Sequence, residues 1–539
     1  MAFNNSGLDG LTLNSSTILA PIGTLSLSGS VGTDFILPED VSDSEKILMS
    51  DCKIKVGEVL SANGIVTVTG NAFFNILLLG EDGSISGVKT SEQFEIKDFL
   101  DGVNDSSILV LGGTFGETNC RLVNPRKLNL ASDVTIDIYA ISERSVDPSI
   151  KGSESIDDEM CLKRRTESVD YLLPCSLSER AIPVSHDITL DGNYPPMSEI
   201  LYYDVKVIPF ETKALSSNVS VKSKAVFSCV YKSEEGNVFA FEKPFTLEAS
   251  LETDSADSYE WFASAVPDDI SAEIAIDNYG DAKLIELDFT YDILLNGVRN
   301  MTVNTVTDAY STEYECQSTV ENSKCCTYRR TYSSSLSVNA SADRDSISAE
   351  NVRSVMIGSV AIKDIAGEYN DEKKRLITEA TAVISAVCEN NITSEDDPRY
   401  SAISFEYPFK CELDVGEINE KVTYTVSAHV TDVRFRCDQN KIYCDFESAI
   451  MSVITETVES SYLTEIVINK AAPVADPYAP ITLCYPSGDE TLWDIAKYYK
   501  VTTDGIVAEN KLENENISGR KVLLIPSFKK STTARAKAN

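Results

Sequence analysis

The sequence predicts a mainly β protein: three repeated antiparallel β-sandwich-like units followed by a small βααβ module at the C-terminus. Three observations carry this. Apolar and polar residues alternate over strand-length runs along most of the chain, the period of a half-buried strand. One order of strands, loop, aromatic signature and hairpin recurs three times. The last stretch then leaves period two for two short helical stripes between strand-like runs.

The alternation is clearest in Val134/Ile136/Ile138, in Ile285/Leu287/Phe289/Tyr291/Ile293, and in Val422/Tyr424/Val426/Ala428/Val430, each interleaved with polar residues. One face then meets a core and the other meets water. This predicts antiparallel sheets, because strands covered by helices on both faces read as continuous apolar runs.

Each repeat opens with a strand (Cys52–Leu60, Tyr202–Pro209, Val355–Ile362), continues into a partner (Val66–Leu79, Val219–Tyr231, Leu376–Cys388) and reaches an acidic or Gly-containing loop. A short aromatic signature follows, Ser91-Glu92-Gln93-Phe94, Glu242-Lys243-Pro244-Phe245 and Glu406-Tyr407-Pro408-Phe409. The polar turns at Asn124-Pro125-Arg126, Asn278-Tyr279-Gly280-Asp281 and Asp438-Gln439-Asn440-Lys441 then mark hairpins. Their centres lie 31, 34 and 30 residues beyond the signature Phe. Units over 14–145, 160–312 and 325–466 are expected, joined by polar stretches such as Lys151–Glu159.

In the C-terminal module, residues 481–527, Ile481–Tyr485 is a strand-length apolar run. Thr491 with Asp494 three residues on has the form of a helix start. Leu492, Ile495, Ala496 and Tyr499 then form one stripe. Thr502 or Thr503 can cap a second helix carrying Ile506 and Val507, with Asn510 suited to a left-handed exit. Gly519 allows the turn into Val522–Ile525, which Pro526 ends. The stretch SGDETLWDIAKYYKVTTDGIVAENKL…ISGRKVLLIP is similar to a LysM module. Its departure is local: two residues, Asp489 and Glu490, separate Gly488 from Thr491 where the family has one.

LysM modules bind N-acetylglucosamine of peptidoglycan or chitin between the first strand–helix loop and the loop after the second helix. The resemblance therefore implicates Gly488, Asp489, Thr491, Leu492, Asn510 and Leu512. Thr491 as a cap, Leu492 as core and Asn510 as a helix exit are the competing structural roles. Trp493, beside the apolar stripe, is either a partly exposed interface anchor or packing over the module's own edge.

Repeated β units ahead of such a module resemble the SPOCS-type units of SipL-like proteins of spore-forming Clostridia. That resemblance implies a non-enzymatic scaffold of spore coat assembly on the mother-cell side of the forespore. It also implies that the LysM module docks a coat-basement morphogenetic ATPase in place of a sugar, with other coat proteins and self-association as further contacts. Peptidoglycan binding on a β-rich stalk is the alternative.

Composition narrows the chemistry. The chain has 539 residues and a formal charge of −37, which argues against a general nucleic-acid or anionic-membrane binder. The charge is uneven, near +2 from Ile481 to Asn539 and −39 before it. The end, 528–539, reads as a basic solvated tail with Lys529, Lys530, Arg535 and Lys537. The N-terminus has no basic and apolar leader and no run is long enough to span a membrane, so a cytoplasmic location is expected.

Thirteen cysteines and two histidines, with no C-x-x-C pair, read as reduced thiols and exclude a familiar zinc pattern. Cys325-Cys326 sits in strand-like sequence. Cys437 should pair opposite Ile442, which spoils a disulfide to Cys444. His429 falls on the polar face of its strand, away from any triad. The acid clusters Asp157-Asp158-Glu159 and Glu395-Asp396-Asp397 lack calcium-loop spacing. No phosphate loop, dinucleotide fingerprint, nucleophile elbow or zinc helix occurs, so neither catalytic residues nor a cofactor or metal is expected.

Overall fold

Each alternating stretch becomes a strand with one face buried. In Leu284–Ser311, Ile285, Leu287, Phe289, Tyr291 and Ile293 are inside, while Glu286 and Asp288 point to water. The computed structural model describes residues 17–39, 41–152, 161–392, 398–418, 422–474 and 482–526.

The chain begins with β1 (Thr17–Ile36), then a meander of β2 (Ser44–Ala62), β3 (Ile65–Gly80) and β4 (Ile85–Phe99). It continues through β5 (Ile108–Thr118) and β6 (Arg121–Asn124) into β7 (Lys127–Ser145), which pairs with β1, β5 and β6. After β8 (Ser149–Lys151) come β9 (Leu162–Thr189), a meander of β10 (Met197–Leu215), β11 (Asn218–Ser233) and β12 (Val238–Glu252), and a hairpin of β13 (Glu260–Ala275) and β14 (Leu284–Ser311) that returns to β9. The third passage runs β15 (Tyr314–Asp343), β16 (Val352–Asn370), β17 (Arg375–Asn390), β18 (Tyr400–Asp414), β19 (Val422–Cys437) and β20 (Lys441–Pro473), with β20 returning to β15. The strand order is the same in all three: a long strand, a three-stranded meander, and a hairpin whose last strand closes on the first.

Each pair of sheets encloses its own apolar core. Leu27, Phe74, Ile76 and Ile136 fill the first, Phe227, Tyr231, Leu287 and Leu295 the second, and Leu376, Ile384, Phe446 and Ile450 the third. Burying each large side chain removes apolar surface from water and contributes about 1.5–3 kcal/mol.

Two features differ from expectation. Phe94 and Phe409 pair with Gly70 and Ala380, each the sixth residue of its middle strand, but Phe245 pairs with Ala225, the eighth. The second aromatic signature therefore sits one pleat out of step, and period two keeps it on the core face regardless. The third unit is also longer than 325–466, because Tyr314 pairs with Pro473 and the β15–β20 ladder runs on beyond its meander. Within the 151–159 stretch, Lys151 belongs to β8, which pairs in parallel with Glu465–Val467 of β20. The acid clusters at 157–159 and 395–397, Ile481 and the basic tail lie outside the described residues.

The three meanders meet in a shared hub. Each opening strand has a β-bulge at the same place, between Ile47 and Met49, Ile200 and Tyr202, and Val355 and Ile357. A bulge re-aims the extra residue, so two consecutive side chains per strand join one cluster: Leu48 with Met49, Leu201 with Tyr202, and Met356 with Ile357. Leu77, Val230 and Val387 complete it from the middle strands. The contacts run in a ring, β4 on β10, β12 on β16, and β17 and β18 on β2. Lys53 pairs with Asp204 across the first junction, Lys224 with Asp432 at 3.2 Å between the second and third units, and Arg399 donates to Asn237 at 3.0 Å across the same pair.

Candidate docking site of the C-terminal module

The final module is built from β21 (Thr482–Cys484), α1 (Leu492–Tyr499), α2 (Thr503–Asn510) and β22 (Leu523–Ile525), with β21 antiparallel to β22. Thr491 caps α1 in a reciprocal box: its backbone N–H donates to Asp494 Oδ2 at 2.9 Å, and its hydroxyl accepts from the Asp494 N–H at 3.3 Å. The Thr491 hydroxyl and N–H hold the Asp494 carboxyl below the usual carboxylate value. Lys500 ends α1 in the left-handed region, and Thr502, of the two candidates, caps α2. Leu492, Ile495, Ala496, Ile506, Leu523 and Ile525 form the core.

Asn510 has a role that sequence reasoning missed. Lys511, not Asn510, takes the left-handed exit of α2. The Asn510 side chain instead meets the edge of β22, donating to the Leu524 carbonyl and accepting from the Leu524 N–H, both at 2.7 Å. An amide carries the same donor and acceptor as a peptide unit, so Asn510 stands in for a missing strand.

Trp493 settles onto the chain's own second unit. Its Nε1–H donates to Asp308 Oδ2 at 2.8 Å, and Lys497, one turn along α1, reaches both Asp308 oxygens at 2.6 and 2.8 Å. Tyr310, two residues beyond Asp308 on β14, stacks edge-on against the indole at 4.9 Å and donates its hydroxyl to the Val501 carbonyl at 2.7 Å. Tyr310 is only 1% exposed and belongs to the module's apolar cluster. The register of β14 against β9 shifts between Val306 and Asp308. With Thr307 as the extra residue, Val306 and Ala309 pack with Leu162 against Leu463 and Ile466 of β20 while Asp308 and Tyr310 face the module. Partial burial alone raises the Asp308 carboxyl's pKa, but the Lys497 ammonium and the indole N–H outweigh it and hold the carboxyl below its ordinary value.

The other residues of the expected groove are arranged differently. Gly488, Asp489 and Thr491 are exposed in the loop before α1, Leu492 is 2% exposed core, and Leu512 is half-buried against that core. An open loop faces solvent there while the Trp493 side of α1 is covered.

His429 is exposed on β19, and His186 stacks on Phe245 with centroids 4.3 Å apart. Cys437 pairs with Ile442, as the hairpin turn predicts, and Cys437 and Cys444 are free thiols. Burial pushes the Cys444 and Cys388 thiols up to about 12, which keeps them protonated and unreactive. Cys325 and Cys326 lie in the β15 ladder opposite Val458 and Thr457. Among the described residues, no three His, Cys, Asp or Glu side chains converge as metal ligands, and no helix is long and apolar enough to cross a membrane. No protein family, curated protein or solved structure matches the chain.

Proposed function

We propose that the chain is a non-enzymatic assembly scaffold of the SipL-like kind, three SPOCS-type β-sandwich units carrying a LysM-like module that docks a coat-basement morphogenetic ATPase at the forespore surface. The observation that carries this reading is the strand order repeated three times ahead of a βααβ module. Three sandwiches closed around one apolar hub make a stiff body with a broad acidic surface, suited to holding coat proteins. The module supplies a separate grip. Two modest contacts on one chain become a strong one where geometry lets both engage.

The test uses the full chain, because Tyr310 of the second unit belongs to the module's core and an excised module would lose it. The ATPase should be retained by the intact chain and lost by a chain ending at Pro473. Equal retention by both overturns the docking role.

A second reading is favoured by one feature: Gly488, Asp489 and Thr491 remain open to solvent on the loop that faces glycan in LysM modules. Co-sedimentation with purified peptidoglycan, lost on Asp489→Ala together with Thr491→Ala, supports a wall-binding role. Absence of sedimentation removes it.

A further inference from the structure

We propose that Asp308-Ala309-Tyr310 is an intramolecular ligand of the C-terminal module, a carboxylate two residues before an aromatic on an extended strand, covering the face that a partner segment of the same chemistry takes. This rests on the reading above that the module grips a protein. The face is chemically selective. Trp493 and Lys497 together present an N–H and an ammonium to one carboxylate, while the indole packs against an aromatic ring two residues on whose hydroxyl donates to the Val501 carbonyl. In an extended strand, residues i and i+2 share a face, so an Asp-x-Tyr segment satisfies every one of these groups without a further partner.

The contact is also built to be exchanged. The Asp308 and Lys497 side chains are 26% and 42% exposed, so the ion pair is screened and contributes modestly. The module itself, residues 481–527, has five Lys/Arg against seven Asp/Glu and stands near −2 beside a body of −39, so no long-range attraction holds it in place and the local Asp308–Lys497 pair is what salt weakens. A competing strand carrying the same pair of side chains meets no covalent obstacle. An occupant matched to a site lowers the apparent affinity of any rival by the fraction of time the site is covered.

Tryptophan fluorescence reads the state of this face directly, since the chain has two tryptophans and Trp261 is 8% exposed inside the second unit. In a Trp261→Phe full-length chain, acrylamide should quench Trp493 weakly. Asp308→Lys, which places a cation against Lys497, should raise the quenching constant by about twofold or more, with unchanged far-UV circular dichroism. The charge swap Asp308→Lys with Lys497→Asp should recover part of the protection. A synthetic peptide spanning Thr305–Thr312 should then protect Trp493 of the Asp308→Lys chain, and the same peptide with Asn in place of its Asp should not. Unchanged quenching in Asp308→Lys overturns the covering contact. Release without protection by millimolar peptide overturns the ligand reading. Neither readout involves the ATPase, so both outcomes are independent of whether the scaffold reading holds.

Discussion

Asp308 and Trp493 lie 185 residues apart and meet through a 2.8 Å hydrogen bond that joins the second sandwich to the C-terminal module. This contact makes the module part of the folded body, and its carboxylate gives the junction a pH dependence of known sign.

The Asp308 carboxyl is held below its ordinary value of 3.8 by Lys497 and Trp493, despite partial burial that acts the other way. A carboxyl with a lowered folded-state pKa contributes stability that is fully present above 3.8 and is lost as pH falls through the folded value. Protection of Trp493 in the Trp261→Phe chain should therefore be flat at neutral and mildly acidic pH and fall below the ordinary carboxylate range. Asp308→Asn should remove that step. A loss of protection centred near neutral pH would assign the junction to a different group.

At the hub, Gly87 of β4 sits against the backbone of β10: a Cβ there would lie 1.5 Å from the Leu201 carbonyl oxygen. Backbone cannot yield as a flexible side chain does, so Gly87→Ala should destabilise the full chain by about 1–3 kcal/mol or more through overpacking. Gly83, in the turn before β4, has nothing within 4 Å of its Cβ position, and its cost comes from its φ of +79° alone. Urea denaturation of the two variants should separate them, with Gly87→Ala the larger loss. Equal midpoints would mean that β4 and β10 are not packed this closely.

The hub also holds a strained acid. Asp51 of β2 lines a polar gap with Asp204, Lys206, Ser228, Glu242 and Ser359, and burial together with the Asp204 charge raises its pKa. A carboxyl raised in the folded state opposes folding once the unfolded chain ionises, so its penalty grows as pH rises above 3.8 and is absent below it. Asp51→Asn should stabilise the chain at pH 7, and the gain should vanish toward acid. Thermal melts of both proteins across that range check it, and a loss at pH 7 would show that the carboxylate is compensated by Lys53 and Lys206.

How much of this was legible in the sequence depends on the range of the interaction. Alternation in β7, β14 and β19, the turn residues and the Thr491 cap are local signals, and the strands and caps formed where those signals stand. The hub was not legible, because Leu48, Leu201 and Met356 look like ordinary alternating residues until the bulges turn them outward together. Trp493 was visible as an aromatic off the apolar stripe, but its partner on β14 depends on how the units pack and no local pattern reports that. The one signal available was Asp308-Ala309-Tyr310, an acid and an aromatic at strand spacing near the end of a long strand.

Asn510 offers the sharpest test of the module's internal build. Its amide replaces a strand neighbour for Leu524, and truncation leaves a donor and an acceptor of β22 without that partner. Loss of two such bonds should cost about 1–3 kcal/mol. Asn510→Asp keeps the acceptor but loses the donor, placing a carboxylate oxygen against the Leu524 carbonyl, so it should be as damaging as Asn510→Ala. Asn510→Ser, too short to span both groups, should fall no better. Because β22 lies against α2 and carries Leu523 and Ile525 into the core, the damage should spread to the face that holds Trp493. Hydrogen exchange at the Leu524 amide, with Trp493 quenching in parallel, should report both effects; slow exchange in Asn510→Ala would mean that the β21 pairing alone fixes the strand.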